Sequence, residues 1–396
     1  MSDNLDLPGR PEDAAPMVLP ARRQMADRRP PPPHSGSIGR VLLVLFLLFS
    51  LFVNVVLLLL LILPGIRTDG DDGMPIYEKH WSGNANANDK VAIVRVEGVL
   101  MDEMMGFDHR QIDKAAKDPH VKAVVLRVNS PGGTVTASDD LHKRLTELKN
   151  GNSPRYKSDP KKLVCSMGPI AASGGYYIAM PCDYIFAETT TTTGSIGVYA
   201  SLPNVQKLAN DNGVKMILVK AGDVKASGSM FQEMSPQERQ QFQDMVDSMY
   251  GQFVKVVEAG RPKLKGMLTK SLFERSVPVY DEKGNKIAGK TVQYTRQRAD
   301  GGAFTAADAK EYGLIDAVGY LEAATKQAAK VAGLTADYQV VYYDRPTSLL
   351  SILSGSASER QLSFDPARLA AAATPRLWYM SPNCEFAGLF AAMSKP

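Results

Sequence analysis

The residues best placed to do chemistry lie in Met167–Tyr177, MGPIAASGGYY, with Ser173 at the centre. An apolar run, Leu163–Ser166, leads into it, and every neighbour of the serine is small. Small neighbours let a carbonyl come close to the hydroxyl, and nothing at Gly174 blocks its N–H from pointing at an oxyanion. A glycine-alanine packing turn holding an ordinary serine is the competing reading, because the motif is not the G-x-S-x-G elbow. A second small-residue turn, Asn129-Ser-Pro-Gly132-Gly133, follows a predicted strand and opens towards a helix. Its two glycines leave consecutive N–H groups free to face an anion. Alone it reads as a plain strand-to-helix turn. Beside the first it supplies what acyl transfer requires, two donors converging on one oxygen.

A nucleophilic serine needs a base. The histidines are His34, His80, His109, His120 and His142, and none follows Ser173. An arrangement with the histidine after the serine is therefore excluded. His142, between Asp139, Asp140 and Lys143, is expected on an exposed helical turn. A lysine can serve instead when burial keeps its amine neutral. Lys225 stands in Ala221–Ser229, AGDVKASGS, a small-residue loop beyond an expected strand, and a solvated surface charge is the plain alternative.

The elements that must position these residues alternate. Val91–Val96 and Val121–Val128 are β-branched runs read as strands, and Leu163–Ser166, Tyr184–Ala187 and Lys215–Lys220 read as further short ones. Helices are expected at Gln111–Ala116, at Ser138–Leu148 and after Ser235. There Ser235-Pro-Gln-Glu238 offers an N-cap serine, a proline at the first helical position and a reciprocal glutamate. Phe242, Met245, Val246, Met249, Phe253 and Val257 then recur at helical spacing as a packing face. Residues 277–298 predict a hairpin turning at Glu282-Lys-Gly-Asn. Strands and helices alternating in this way imply an α/β domain with parallel pairing.

Ahead of that domain, residues 1–40 are rich in Pro, Arg and Asp and read as a disordered tail. Val41–Leu63 is free of charge, with only Ser50 and Asn54 polar, and Pro64-Gly65 ends it. At 1.5 Å per residue these 23 residues make about 34 Å of helix, enough for a bilayer core, so 41–66 is read as a transmembrane anchor. Five arginines (Arg22, Arg23, Arg28, Arg29, Arg40) precede it against Asp27, whereas Arg67 is followed by Asp69, Asp71 and Asp72. The N-terminus is therefore expected in the cytoplasm and the rest of the chain on the far side. Residues 67–89 read as a polar linker, 90–345 as the catalytic domain and 346–396 as an alanine-rich extension ending in aromatic and apolar residues, for which packing is the favoured role.

A net charge of +4 on 396 residues, with no long basic block, gives no reason to expect nucleic acid. The three cysteines, Cys165, Cys182 and Cys384, fit neither a disulfide framework nor a metal pattern, and no metal or organic cofactor is expected. Two small buried hydrophobes are the favoured reading of Cys165 and Cys182, with a bridge between them the alternative.

The segments VNSPGGTV (128–135), GPIAASGGYYIAMPCDYIFA (168–187), TTTGSIGV (191–198) and GAFTAADAKEYGLIDAVG (302–319) resemble, in consistent order over roughly residues 90–345, the S49 family of signal peptide peptidases, the SppA type in its short, single-repeat form. The resemblance implies a ClpP/crotonase-like fold of repeated β-β-α units. It implies Ser173 as nucleophile and Lys225, 52 positions on (225 − 173), as base, with Lys220 as fallback because the wording around Lys225 departs from the family's. Ser195 in TGSIGV falls where the family has a serine that orients the lysine. The oxyanion donors would be Gly174 and either Gly132 or Gly133. It further implies a homo-oligomeric ring, an octamer among the sizes open to it, in which serine and lysine meet across a subunit boundary.

The expectation is thus a membrane-anchored serine endopeptidase with a Ser-Lys dyad, cleaving remnant signal peptides or other extended apolar peptides on the extracytoplasmic, periplasmic side. Two rivals share the fold: an acyl-CoA enzyme of the crotonase kind, which would use carboxylates, and a non-catalytic scaffold for membrane partners.

Overall fold

A computed structural model describes residues 37–62, 76–281, 283–335, 337–345 and 377–380. The chain divides into two units, residues 1–68 and 69–396. In the first, α1 (Ser37–Ile62) is a 26-residue helix. Its polar Asn54 is satisfied within the helix, the amide donating to the Ser50 carbonyl at 2.7 Å. Side chains of α1 are described over residues 41–55, and Val41–Phe49 are all more than half exposed or close to it. Among the described residues no helix is long and apolar enough to cross a membrane. The anchor is a reading of the full sequence and is taken up with function below. The disordered tail, the start of the linker, Cys384 and most of the C-terminal extension lie outside the described residues.

The second unit runs β1 (Tyr77–Gly83), β2 (Lys90–Glu97), α2 (Gly106–Lys117), β3 (Val121–Ser130), β4 (Gly132–Thr134), α3 (Val135–Asn150), β5 (Lys162–Ala172), α4 (Gly174–Tyr177), β6 (Tyr184–Ala187), β7 (Thr192–Gly194), β8 (Tyr199–Ala200), α5 (Gln206–Asp211) and α6 (Pro236–Gly260). It continues with β9 (Ser271–Tyr280), β10 (Lys286–Gln297), β11 (Ala303–Thr305), α7 (Ala306–Glu311), β12 (Ala317–Val318), α8 (Leu321–Val331), β13 (Gln339–Asp344) and β14 (Leu377–Met380).

The main sheet has the order β1-β13-β2-β3-β5-β6-β12, and every neighbouring pair from β13 to β12 is parallel. Alternation along β3 shows why helices must cover both faces. Val124, Leu126 and Val128 join the core shared with α2, α3 and α6, whereas Ala123 and Val125 pack with Ala324 and Ala328 of α8. The α/β class with largely parallel pairing is as the alternation of elements predicts. The capping box of α6 is complete, the Ser235 hydroxyl accepting from the Glu238 N–H and the Glu238 carboxylate accepting from the Ser235 N–H. The expected hairpin forms from β9 and β10, with Val277 opposite Val292, although β9 begins earlier, at Ser271.

Four expectations are corrected. Residues 215–220 form no strand: they are exposed, with Ile217 and Val219 82% and 92% accessible, and among the described residues no sheet edge lies alongside. The linker is shorter than 67–89, since Tyr77–Gly83 is an edge strand paired antiparallel with β13. The apolar face of α6 is covered only in its second half, where Phe253, Val256 and Val257 are buried while Met245 is exposed. His142 is half-buried, its ring edge-on to Tyr177 at 5.2 Å.

Cys165 and Cys182 are buried free thiols in the core shared with α2, α3 and α6, as the hydrophobe reading holds.

Candidate active site

Ser173 stands where β5 changes neighbours. On one side the strand pairs with β6 through Met167 and then with β7 from Ile170 to Ala172, while on the other β3 stays beside it as far as Ser130 opposite Ala171. Ligand sites of parallel sheets gather at such carboxyl ends, where neighbouring strands part. The Ser173 backbone has φ 54° and ψ −116°, a conformation that costs a non-glycine residue roughly 1–3 kcal/mol. Its neighbours hold it there: the N–H donates to the Gly194 carbonyl at 2.8 Å, and its carbonyl accepts from Tyr176 and Tyr177 as α4 begins. The Ser173 side chain is fully buried, and its hydroxyl has no hydrogen-bond partner among the described residues. Buried hydroxyls are nearly always paired, so a strained, orphaned one marks a site rather than a packing turn.

The glycine pair sits beside it. Gly132, at φ 103°, needs a glycine's freedom. Its N–H donates to the Ser130 hydroxyl at 3.1 Å, and its carbonyl accepts from Leu100 at 2.9 Å. The Thr134 N–H donates to the Leu100 carbonyl at 2.8 Å, so the β4 edge facing Leu100 is occupied. Peptide groups alternate sides along a strand, which leaves the N–H and carbonyl of Gly133 facing the other edge. Of the two glycines, only Gly133 offers its N–H to the groove.

The groove is filled by the chain itself. β14 pairs antiparallel with β4, Tyr379 opposite Gly133, and with β8, Trp378 opposite Tyr199. A β-carbon on Gly132 would collide with the Tyr379 carbonyl oxygen and stand 2.7 Å from the Gly174 nitrogen. One on Gly174 would lie 3.0 Å from that same oxygen and strike the Ser138 hydroxyl. A backbone carbonyl therefore points into the space between the two glycine turns, next to Ser173.

Ser195, also at positive φ (51°), follows β7 directly. Its hydroxyl donates to the Gly301 carbonyl at 3.1 Å and its N–H to the Gly302 carbonyl at 3.0 Å. Lys225 is not brought to this group. It is exposed, on a turn tied to α6 by the Ser227 hydroxyl, which donates to Gln241 at 3.0 Å, and no described residue reaches the Ser173 hydroxyl. Lys220, the fallback, is engaged with the Asp223 carbonyl and lies 3.8 Å from Glu238.

Sequence reasoning missed Ser138, whose hydroxyl donates to the Thr134 carbonyl at 2.8 Å while backing Gly174. The signal was its place one turn after Thr134, the N-cap of α3. It also missed Tyr379, for which a lone Leu-Trp-Tyr-Met run in an alanine-rich stretch was the sole cue.

Known proteins are similar to this chain. A family model described as peptidase family S49 matches residues 155–271. A Synechocystis protein named as a candidate protease is 32% identical over 289 residues, covering 72% of this chain and 90% of its own length. The chain belongs to peptidase family S49. A candidate signal peptide peptidase SppA of Enterococcus faecium is 32% identical, covering 66% of this chain and 69% of its own. Protease 4 of Salmonella typhi is 32% identical over 69% of this chain, which spans only 40% of that longer protein. This S49 protein is accordingly a serine peptidase of SppA type, and its largely parallel sheet fits the ClpP/crotonase-like fold.

Proposed function

We propose that Ser173 is the nucleophile of a Ser-Lys endopeptidase whose base, Lys225, comes from a neighbouring copy in a homo-oligomeric ring. The orphaned, strained hydroxyl beside a carbonyl held between two glycine turns carries this reading. Support for the intersubunit base is the state of Lys225 in the single chain: exposed, out of reach of Ser173, and six positions after the bare apolar run Met216–Val219. Such a run is what a second copy would cover. Burial beneath that copy would also give the amine the dry surroundings a lysine base needs.

In the reaction the neutral Lys225 amine takes the Ser173 proton as Oγ bonds to the substrate carbonyl carbon. The Gly133 and Gly174 N–H groups hold the resulting oxyanion. The C–N bond breaks, the departing amine takes the proton from Lys225, and water then hydrolyses the ester and restores Ser173. Ser195 orients the lysine. Extended polypeptides are the substrates, because the groove between β4 and β8 accepts a strand on both edges; remnant signal peptides are one such class. Val41–Leu63 anchors the chain with the catalytic domain on the extracytoplasmic side, as the arginines before it and the aspartates after it direct.

The test is co-expression. Ser173→Ala and Lys225→Ala each lower activity on an unfolded polypeptide by about 10⁴-fold or more. Mixed rings of the two dead variants regain activity, approaching about one quarter of wild type if copies mix at random. Full activity in either single variant rejects that residue's role, and a silent mixture places the base within the same chain.

A further inference from the structure

Ser195 hangs from two carbonyls that their own residues do little to fix. Its hydroxyl donates to Gly301 and its N–H to Gly302, while the Gly301 N–H donates back to the Ile196 carbonyl at 3.0 Å. A Gly-Gly pair, with Gly301 at φ 82°, can turn its peptide planes at little steric cost. Ser195 itself sits at positive φ, a conformation that persists only where the surroundings over-determine it. Another group must therefore set the turn.

An ion pair sets it. Arg296, near the end of β10, donates through Nε to one Asp300 carboxylate oxygen at 2.6 Å and through Nη2 to the other at 3.3 Å. The same carboxylate accepts from the N–H groups of Gln297 at 3.0 Å and Gly302 at 2.9 Å, so it ties the strand end to the turn. Nη2 also donates to the Ala303 carbonyl at 3.3 Å, Nη1 donates to the Tyr294 hydroxyl at 3.2 Å, and the guanidinium lies 4.4 Å from the Phe304 ring centroid. A β-carbon on Gly302 would stand 2.5 Å from Nη2, so the glycine is what lets the guanidinium settle on the turn. The two side chains are 16% and 22% exposed, less open than a surface pair whose geometry solvent would loosen. Ala303 lies opposite Gly194 in the β11–β7 pairing, and the Gly194 carbonyl receives the Ser173 N–H. One knot of bonds thus stands behind both serines.

We infer that Arg296 and Asp300 are positioning residues of the peptidase reaction: they fix the Gly301-Gly302 turn that holds Ser195, and so aim the hydroxyl that orients the base. The inference rests on that role of Ser195. It also gives the β9–β10 hairpin a purpose, since the hairpin delivers Arg296 to the turn. Neither residue contacts the reacting atoms, so their loss acts on turnover and leaves substrate binding in place.

The experiment measures kcat and KM of the full chain on unfolded casein for Arg296→Gln, Arg296→Lys, Asp300→Asn, Ser195→Ala and the Arg296→Gln/Ser195→Ala double variant, with urea midpoints alongside. Arg296→Gln and Asp300→Asn each lower kcat by about 10- to 100-fold while KM moves less than about two-fold, the mark of a misaimed group. Arg296→Lys, which keeps the charge without the fork, falls between Arg296→Gln and wild type. The double variant is within about three-fold of the slower single one, because both changes act through one hydroxyl. An unchanged kcat in Arg296→Gln or in Asp300→Asn overturns the inference, as does a double-variant loss equal to the product of the two single losses. If Arg296→Gln does not fold, Asp300→Asn takes its place in the cycle with Ser195→Ala. Full activity of Ser195→Ala would instead sink the reading of Ser195, and this inference with it, while Ser173→Ala tests the nucleophile separately.

Discussion

Gly132 and Gly174 stand so close that a β-carbon on the first would lie 2.7 Å from the nitrogen of the second. The space between them is thus closed to any side chain and open to one carbonyl oxygen. Gly132→Ala should destroy that space. The substitution also meets a positive φ of 103°, a strain of roughly 1–3 kcal/mol. Gly333→Ala separates the two effects, because Gly333 has a comparable positive φ of 70° with nothing within 4 Å of its added carbon. Both variants should lose about 1 kcal/mol or more in urea unfolding. Only Gly132→Ala should lose about 10²- to 10³-fold in kcat/KM. Equal activity of the two variants would show that the glycine turn does not border the reacting oxygen.

What was legible in the sequence is what neighbours along the chain decide. Val121–Val128 is a β-branched run and forms a central strand; Ser235-Pro-Gln-Glu238 carries its own cap and starts α6 where the cap says. Ser173 stood out because every flanking residue is small. The choice between Gly132 and Gly133 was not legible, since it turns on which N–H Ser130 takes and which edge Leu100 occupies. Tyr77–Gly83 was hidden for another reason. An edge strand with its Lys and His exposed has the composition of a linker, and its partner β13 lies more than 250 residues away. Lys215–Lys220 erred the opposite way: an apolar run was read as a strand, though a strand needs a neighbour and the described residues offer none.

A second long-range relationship locks the end of α6 onto the sheet. Arg261 grips Asp316 with two parallel bonds of 2.8 and 2.9 Å and donates to the Gly313 carbonyl at 3.1 Å. Asp316 also accepts from the Ile185 N–H at 2.8 Å, at the β6 edge where β12 pairs. The arginine side chain is 13% exposed and the aspartate 26%, so the pair is screened only in part. Removing one partner strands the other's charge. Asp316→Ala should cost about 2–4 kcal/mol in chemical unfolding, below the full range for a completely buried pair. Arg261→Met combined with Asp316→Leu should cost markedly less than the two single losses added together. Additive losses would mean that the two side chains act independently.

Acid should weaken the fold through His142. Burial lowers the pKa of this imidazole below its ordinary 6.5, with Asp139 opposing only in part. A depressed histidine stays neutral in the folded chain while the unfolded chain takes up a proton. The unfolded state therefore binds more protons as pH falls through about 6.5, and stability drops on the acid side while being fully present above it. His109 behaves alike, held down by burial and then by Arg144, and shares the effect. Urea midpoints at pH 7.5 and 5.5 measure it. The gap between them should narrow in His142→Gln and narrow further when His109→Gln is added. A midpoint gap that His142→Gln leaves unchanged would assign the acid sensitivity to other groups.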